Sequence, residues 1–381
     1  MTKKNIDILF FVDNSIEIVG GAEKSTEVII DSLKKSFNIG LVQPYSEKSI
    51  SGISNFKLTK KTRLKHVFKN PYLIFVYIFS IYKIIKKVSP KIIHTQGQIS
   101  FFLVGLLKKI KLIPNNVVII HTERGLYSKY SKKLKKIFMF FLKRINKLIT
   151  TTEYNKDLWI QAFENENLNI PIEVIENTAG EIFENYDFLK DTTSSSNEIV
   201  IGFAGRYTDW KNWPLAEEII IKLSESMGNE FIVKIAVGCL DDRAIQESEK
   251  MFQRIKQVIG DRFKGKVNID LNEMNVFYYS LDVFILTSDK DTESFGRTLI
   301  EAMSRKTAVL TTDAGGTAEV VGSRHNVLEN ADQFVYEIIK YNKDKSLLLK
   351  EKERSYERVH SQYTLKKNID KHYNLYLKYL E

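Results

Sequence analysis

One cysteine, Cys239, stands in a chain of 381 residues. No internal disulfide framework can therefore hold it together, and the usage fits a reducing compartment. Long apolar runs are also missing. The best stretch, Pro71 to Tyr82, is stopped by Lys83, well short of the roughly 18–20 residues a spanning helix needs. Near the amino terminus Asp7 and Asp13 interrupt the apolar stretch, so no secretory signal reads there. Sharp internal repeats are absent, as are His/Cys clusters with zinc spacing. No GxGxxG follows the first apolar run, which speaks against a nicotinamide enzyme. The last absence is local: between Lys48 and Lys147, 23 Lys/Arg face a single acid, Glu123.

What is present reads as a globular protein, with 43% hydrophobic and 27% charged residues and a length that suits two domains. Short apolar runs suited to buried strands lie at 6–12, 39–42, 91–94, 117–121 and 147–151, with helical stretches at 22–35, 71–88, 100–111 and 129–146. After DTTSSSN at Asp191–Asn197, the only low-complexity polar stretch, the alternation restarts. Strands are expected at 199–203, 231–237, 267–269, 283–287 and 307–311. Helices fall between them and at 331–341 and 364–380. The reading is an α/β chain of two doubly wound, Rossmann-like halves joined by the 191–197 linker. We expect a domain over 1–190, a second over 198–360, and a terminal helix within 361–381.

Ligands of open parallel sheets sit where strands end and helices begin. Three loops there are unusual. Gly202-Phe203-Ala204-Gly205-Arg206, with Lys211 and Asn212 following, ends a strand in glycine and sets two cations beside it, suited to a diphosphate. Asp289 to Glu301 follows a buried strand and opens a helix at Gly296, whose first amides can face an anion. That loop carries Glu293 and Glu301; carboxylates beside a phosphate site make sense as acceptors for hydroxyl groups, a ribose and a sugar. The third loop, Thr311–Glu319, holds the pair Gly315-Gly316, and a plain structural turn explains it nearly as well. Asp289-Lys290-Asp291 has the D-x-D form that some sugar transferases use for a divalent cation, yet Arg206 and Lys211 already offer that neutralisation, and no metal is expected.

Together, Gly20-Gly21-Ala22-Glu23, the GR-x4-KN segment at Arg206, the E-x7-E segment with Phe295-Gly296, and DAGG-x2-E resemble the family 4 retaining glycosyltransferases of the GT-B fold, over nearly the whole chain. The resemblance implies two domains facing each other across a cleft, with the terminal helix crossing back to the first. It implies a nucleotide-diphospho-sugar donor held by the second domain and no cofactor. Arg206 and Lys211 would then contact the diphosphate, Glu301 the ribose and Glu293 the donor sugar. Backbone groups of Phe295, Gly296, Arg297, Thr298 and Leu299 would add phosphate contacts, and Gly21 would approach the phosphates from the other domain. His121, at a strand end, takes the place of the family's catalytic histidine; His94 would line the cleft. Glu123 pairs with Arg124 or Lys129, or contacts an acceptor hydroxyl. A UDP-sugar donor, a hexosyl group, a glycan or polyprenyl-linked acceptor and a role in cell-surface polysaccharide synthesis are further implications of the resemblance.

The basic hundred residues ask for a polyanion. Ser128–Lys147, with eight cations around Phe138, Met139, Phe140, Phe141 and Leu142, reads as a helix lying on anionic lipid, and Leu64–Lys87 as a second contact. The expected location is cytoplasmic, peripheral on the inner face of the cell membrane. No nucleic-acid module is evident, and none is expected as a partner. Rival readings are a non-catalytic subunit of the same fold, a polyanion-binding protein, and a sugar-nucleotide epimerase.

Overall fold

The computed structural model describes residues 5–187 and 198–381, apart from 19, 60, 62 and 68 and the side chain of 67. The expected linker, 191–197, lies outside the described residues. The chain forms two compact units: Met1–Glu176 with Lys366–Glu381, and Asn177–Leu365.

The first unit is built on a parallel sheet of β1 (Ile8–Phe11), β2 (Ile39–Gln43), β3 (Ser54–Lys57), β4 (Ile92–Thr95), β5 (Val118–Thr122), β6 (Lys147–Thr150) and β7 (Ile172–Val174). Its order is β3-β2-β1-β4-β5-β6-β7. Strands buried on both faces need apolar side chains at every position rather than at alternate ones. In β1 the alternation sends Leu9 and Phe11 to one core, against helix Pro71–Val88 and helix Gln98–Lys109. Ile8 and Phe10 go to the other, against helix Gly21–Leu33 and the terminal helix Leu365–Leu380. His372, Leu375 and Tyr376 of that last helix are buried in the first unit.

The second unit repeats the plan with β8 (Ile199–Arg206), β9 (Phe231–Gly238), β10 (Phe263–Val267), β11 (Val283–Leu286), β12 (Ala308–Thr312) and β13 (Val327–Leu328). The order is β10-β9-β8-β11-β12-β13, all parallel. In both units the strand order reverses about the first strand, between β1 and β4 and between β8 and β11.

Two of the expected elements have other bounds than the sequence reading gave them. β10 is Phe263–Val267, not 267–269, because Asn268 adopts a left-handed φ of +54° and its side chain accepts the Cys239 amide at 2.7 Å, ending the strand. The helix expected over 129–146 is Lys132–Leu142, started by Ser131, whose Oγ accepts the Leu134 amide. Its apolar face is core: Phe138, Met139 and Leu142 pack on Phe101 and Trp159. Only Phe140 is exposed, with Lys109 and Arg144 over its ring at 4.3 and 4.5 Å. The expected lipid-facing role of Ser128–Lys147 is thereby corrected. No helix among the described residues is long and apolar enough to cross a membrane.

Candidate active site

The reversal between β8 and β11 sends the loops after these strands apart, the place where such sheets take ligands. Arg206 is the last residue of β8, half-buried, its carbonyl accepting Trp213 Nε1 at 3.1 Å. A short turn then brings Lys211 back over the strand end. Its stem crosses Gly205, where an added Cβ would lie 3.2 Å from Lys211 Cδ, which explains the glycine before Arg206. Asn212, at φ +49°, starts helix Trp213–Met227 by accepting the Leu215 amide, and its amide group donates to Asp289 at 2.9 Å. The first acid of the D-x-D pair therefore anchors the lysine loop.

Lys211 and Glu293 meet. Lys211 Nζ donates to Glu293 Oε1 at 2.6 Å, and Ser288 Oγ donates to the same oxygen at 2.9 Å. The Glu293 backbone is tied to the paired-glycine loop: its amide donates to Ala314 O at 2.9 Å and its carbonyl accepts the Gly316 amide at 2.8 Å. Gly315, at φ +112°, makes that approach feasible. Both partners keep a little solvent exposure, 14% for Lys211 and 16% for Glu293, so a ligand can still reach the pair.

Gly296, at φ +84°, turns the chain into helix Arg297–Met303. Arg297 Nη2 donates to Ala179 O at 2.9 Å, and its Nε lies 3.2 Å from Glu301 Oε1. Tyr278, fully buried, donates its hydroxyl to Glu301 Oε2 at 3.0 Å. Both oxygens of Glu301 are thus oriented. Burial pushes its carboxyl above the usual range, opposed first by Arg297, then by the Tyr278 hydrogen bond and the charge of Lys211. That last influence places Glu301 in the same electrostatic neighbourhood as the Lys211–Glu293 pair.

The other loop residues divide. Phe295 and Leu299 are buried, Phe295 edge-on to Tyr363. The Leu299 amide donates to Gly296 O at 2.9 Å in a tight first turn, so its expected availability to a phosphate is corrected. Thr298 Oγ1 is buried with no hydrogen-bond partner among the described residues. Sequence reasoning missed Tyr278 and Ser288, neither of which carries a motif.

In the first unit the expected residues lie deeper than anticipated. His94 has no exposed surface: Nδ1 meets Tyr376 OH at 2.6 Å and Nε2 meets Thr122 Oγ1 at 2.7 Å. Burial, then His372, Arg124 and His121, lower its proton affinity far below the ordinary imidazole value. It is a satisfied neutral core histidine, not a lining residue. His121 is equally buried, stacked on Phe101 at 4.2 Å, with Nδ1 beside Thr95 and Nε2 3.3 Å from Glu123 Oε2. Glu123 pairs with neither Arg124 nor Lys129. Its other oxygen accepts the Gly125 amide at 2.7 Å and the Tyr130 hydroxyl at 2.8 Å. A Cβ on Gly125 would collide with that hydroxyl. Arg124 reaches instead to Gln96 Oε1. Gly21, the remaining expected residue, is exposed and opens helix Gly21–Leu33.

Residues 186–358 match the family model for glycosyl transferases group 1, and residues 19–178 the one for glycosyltransferase family 4. No curated protein matches the chain. Solved structures that share the fold include Anabaena HepE in complex with UDP and glucose, 15% identical, with a TM-score of 0.76 over 98% of this chain and 100% of that one. Sucrose-phosphate synthase from Thermosynechococcus elongatus is 15% identical, with a TM-score of 0.77 over 98% of each chain. A glycosyltransferase from Rickettsia africae is 20% identical, with a TM-score of 0.73 over 99% of each.

Proposed function

The chain belongs to the family 4 glycosyltransferases of the GT-B fold, and from that premise we propose that it moves a hexosyl group from a UDP-sugar to a hydroxyl of a glycan or lipid-linked acceptor, with retention. The bond from the anomeric carbon to the diphosphate breaks and its electron pair stays on the phosphate oxygen. The acceptor oxygen bonds to that carbon and passes its proton to the departing diphosphate oxygen. Charge on the leaving diphosphate grows as the bond lengthens, so fixed cations stabilise the transition state more than the ground state.

Lys211 and Arg206, at the end of β8, supply that positive field, which makes a divalent cation superfluous in this reading. Glu301, held by Arg297 and Tyr278, offers two aligned oxygens to the ribose hydroxyls. Glu293 faces the donor sugar once the diphosphate draws Lys211 away from it. His121, with no exposed atom, acts as a positioning residue for Glu123 rather than by touching the sugar. The observation that carries the reading is two contacts in the loops after β8 and β11, Lys211 with Glu293 and Arg297 with Glu301, with the charge of Lys211 acting on Glu301. A surface-polysaccharide role, acting on the inner face of the cell membrane, follows from the family resemblance and from the one-signed charge of residues 48–147.

The experiment is a calorimetric screen of UDP-, GDP- and ADP-sugars against the intact protein. The expected result is saturable binding of one UDP-sugar, lost in Lys211→Ala and Glu301→Ala. Absence of binding to every nucleotide sugar sinks the donor assignment. Release of an isomerised free nucleotide sugar without any acceptor favours the epimerase reading instead.

A further inference from the structure

Helix Pro71–Val88 carries two opposed faces. Tyr77, Ile81, Ile84, Ile85 and Val88 are buried in the first core. One half-turn away, Tyr72 is 71% exposed, Phe75 70% and Phe79 49%, with Val76 and Leu73 also in solvent. At about 100° per residue, positions 72, 75, 76 and 79 share one stripe, and Lys83, Lys86 and Lys87 continue it toward the carboxyl end. At its amino end the helix is started by Asn70, whose side chain accepts the Tyr72 amide at 2.9 Å. Lys61, Lys65 and Lys69, all exposed, precede it. Not one acid occurs between Lys48 and Thr122.

We propose that the exposed stripe of Tyr72, Phe75, Val76 and Phe79 is a docking tip that enters the surface of an anionic lipid bilayer, with the surrounding lysines on the headgroups. The proposal deepens the membrane part of the proposed function and does not depend on the donor site. Aromatic side chains at this exposure leave a large apolar area in water, which a lipid interface removes. Lys83 lies over the Phe79 ring at 4.4 Å and Lys86 over Tyr82 at 6.0 Å, so cations sit at the border of the stripe, where phosphates would meet them.

A second observation concerns the field. His66 is exposed, yet its proton affinity is lowered, by desolvation first and then by Lys65, Lys69, Arg63 and Lys61. Positive charge is therefore gathered in the segment that leads into the helix. It also argues against a second copy as the occupant. An isologous dimer sets the same patch against itself, and here that brings lysines against lysines with no acid to separate them. The buried opposite face keeps the helix seated on the sheet, so the tip lies in the interface and the helix does not span.

The test is flotation of the full chain with vesicles of phosphatidylcholine alone, and with about one third phosphatidylglycerol added. Binding is expected only to the anionic vesicles, and to fall about tenfold or more between ~0.1 and ~0.5 M salt. The Tyr72→Ser/Phe75→Ser/Phe79→Ser variant, altered only at exposed positions, is expected to lose at least about tenfold in partitioning with unchanged circular dichroism. In parallel, NMR titration of His66 is expected to show its pKa rising when anionic vesicles are added, because negative headgroups favour the imidazolium. Equal flotation of the triple variant and the parent, or equal binding to neutral vesicles, overturns the proposal. So does a dimer in sedimentation that the triple variant abolishes. UDP-sugar binding measured on the same samples separates the readings: its loss with flotation intact strikes the donor site alone.

Discussion

Lys211 and Glu293 neutralise each other at 2.6 Å, an arrangement that a diphosphate bound as proposed would disturb. In that proposal the diphosphate competes with Glu293 for the ammonium, so removing the charge on residue 293 removes the competitor. Glu293→Gln is expected to bind UDP at least as tightly as the parent while turnover falls about a hundredfold, on the scale of a lost electrostatic contact in the transition state. Lys211→Met is expected to weaken both. Calorimetry and initial rates on the same preparations check this, and weaker UDP binding in Glu293→Gln contradicts the competition. Glu301 allows a prediction about pH. Burial already raises its pKa, while Arg297 and the Tyr278 hydroxyl stabilise the ionised form. Tyr278→Phe deletes one of those stabilisers, so the carboxyl protonates at higher pH than in the parent. The acid limb of kcat/KM for the donor therefore moves toward neutrality, with KM raised about tenfold, the value of one hydrogen bond to a charged group. An unmoved limb means that the hydroxyl serves packing only.

Among the elements, the loop Asp289–Gly296 depends on backbone geometry. Gly296 sits at φ +84°, and a Cβ there would lie 3.0 Å from Leu299 and 3.1 Å from Thr317. Gly296→Ala is expected to cost about 1–3 kcal/mol of stability and to weaken donor binding, read by thermal shift with and without UDP. This loop was legible because its signals are local: glycines, cations and acids within a few residues of a strand end. The buried parallel strands were legible for the same reason, each a continuous apolar run. What failed to show depends on distant partners. A strand-end histidine reads alike whether exposed or buried, and His94 is buried by Tyr376, which lies 282 residues later in the chain. Tyr278 reaches Glu301 across 23 residues from an ordinary apolar stretch. Helix Lys345–Gln362 carries charges on most faces and seats itself through a buried Lys352–Asp282 pair at 3.1 Å, a partnership that no periodicity encodes.

At the scale of the whole molecule, the first unit is closed by residues from both ends of the sequence, because Lys366–Glu381 belongs with Met1–Glu176. Its terminal helix contributes Leu375 and Tyr376 to the core around Phe10, and His372 beside His94. Each such apolar side chain stabilises by about 2 kcal/mol on burial, and a domain of this size has only about 5–15 kcal/mol in all. The helix is therefore a large part of the first unit's margin. Acid should loosen it before the rest. Burial holds His372 down to about 4 against an ordinary 6.5, so the unfolded chain takes up the proton first. Stability is full above pH 6.5 and is lost as pH falls toward 4, by on the order of 3 kcal/mol for this group. Hydrogen exchange is expected to show amides of Leu365–Leu380 and of β1 losing protection together over that window, while β8 and β11 stay protected. Removing residues 366–381 should reproduce the acid effect at neutral pH, with a first unfolding transition at lower temperature and UDP-sugar binding by the second unit retained. A truncated chain whose two units melt at their original temperatures contradicts the assignment of the helix to the first core.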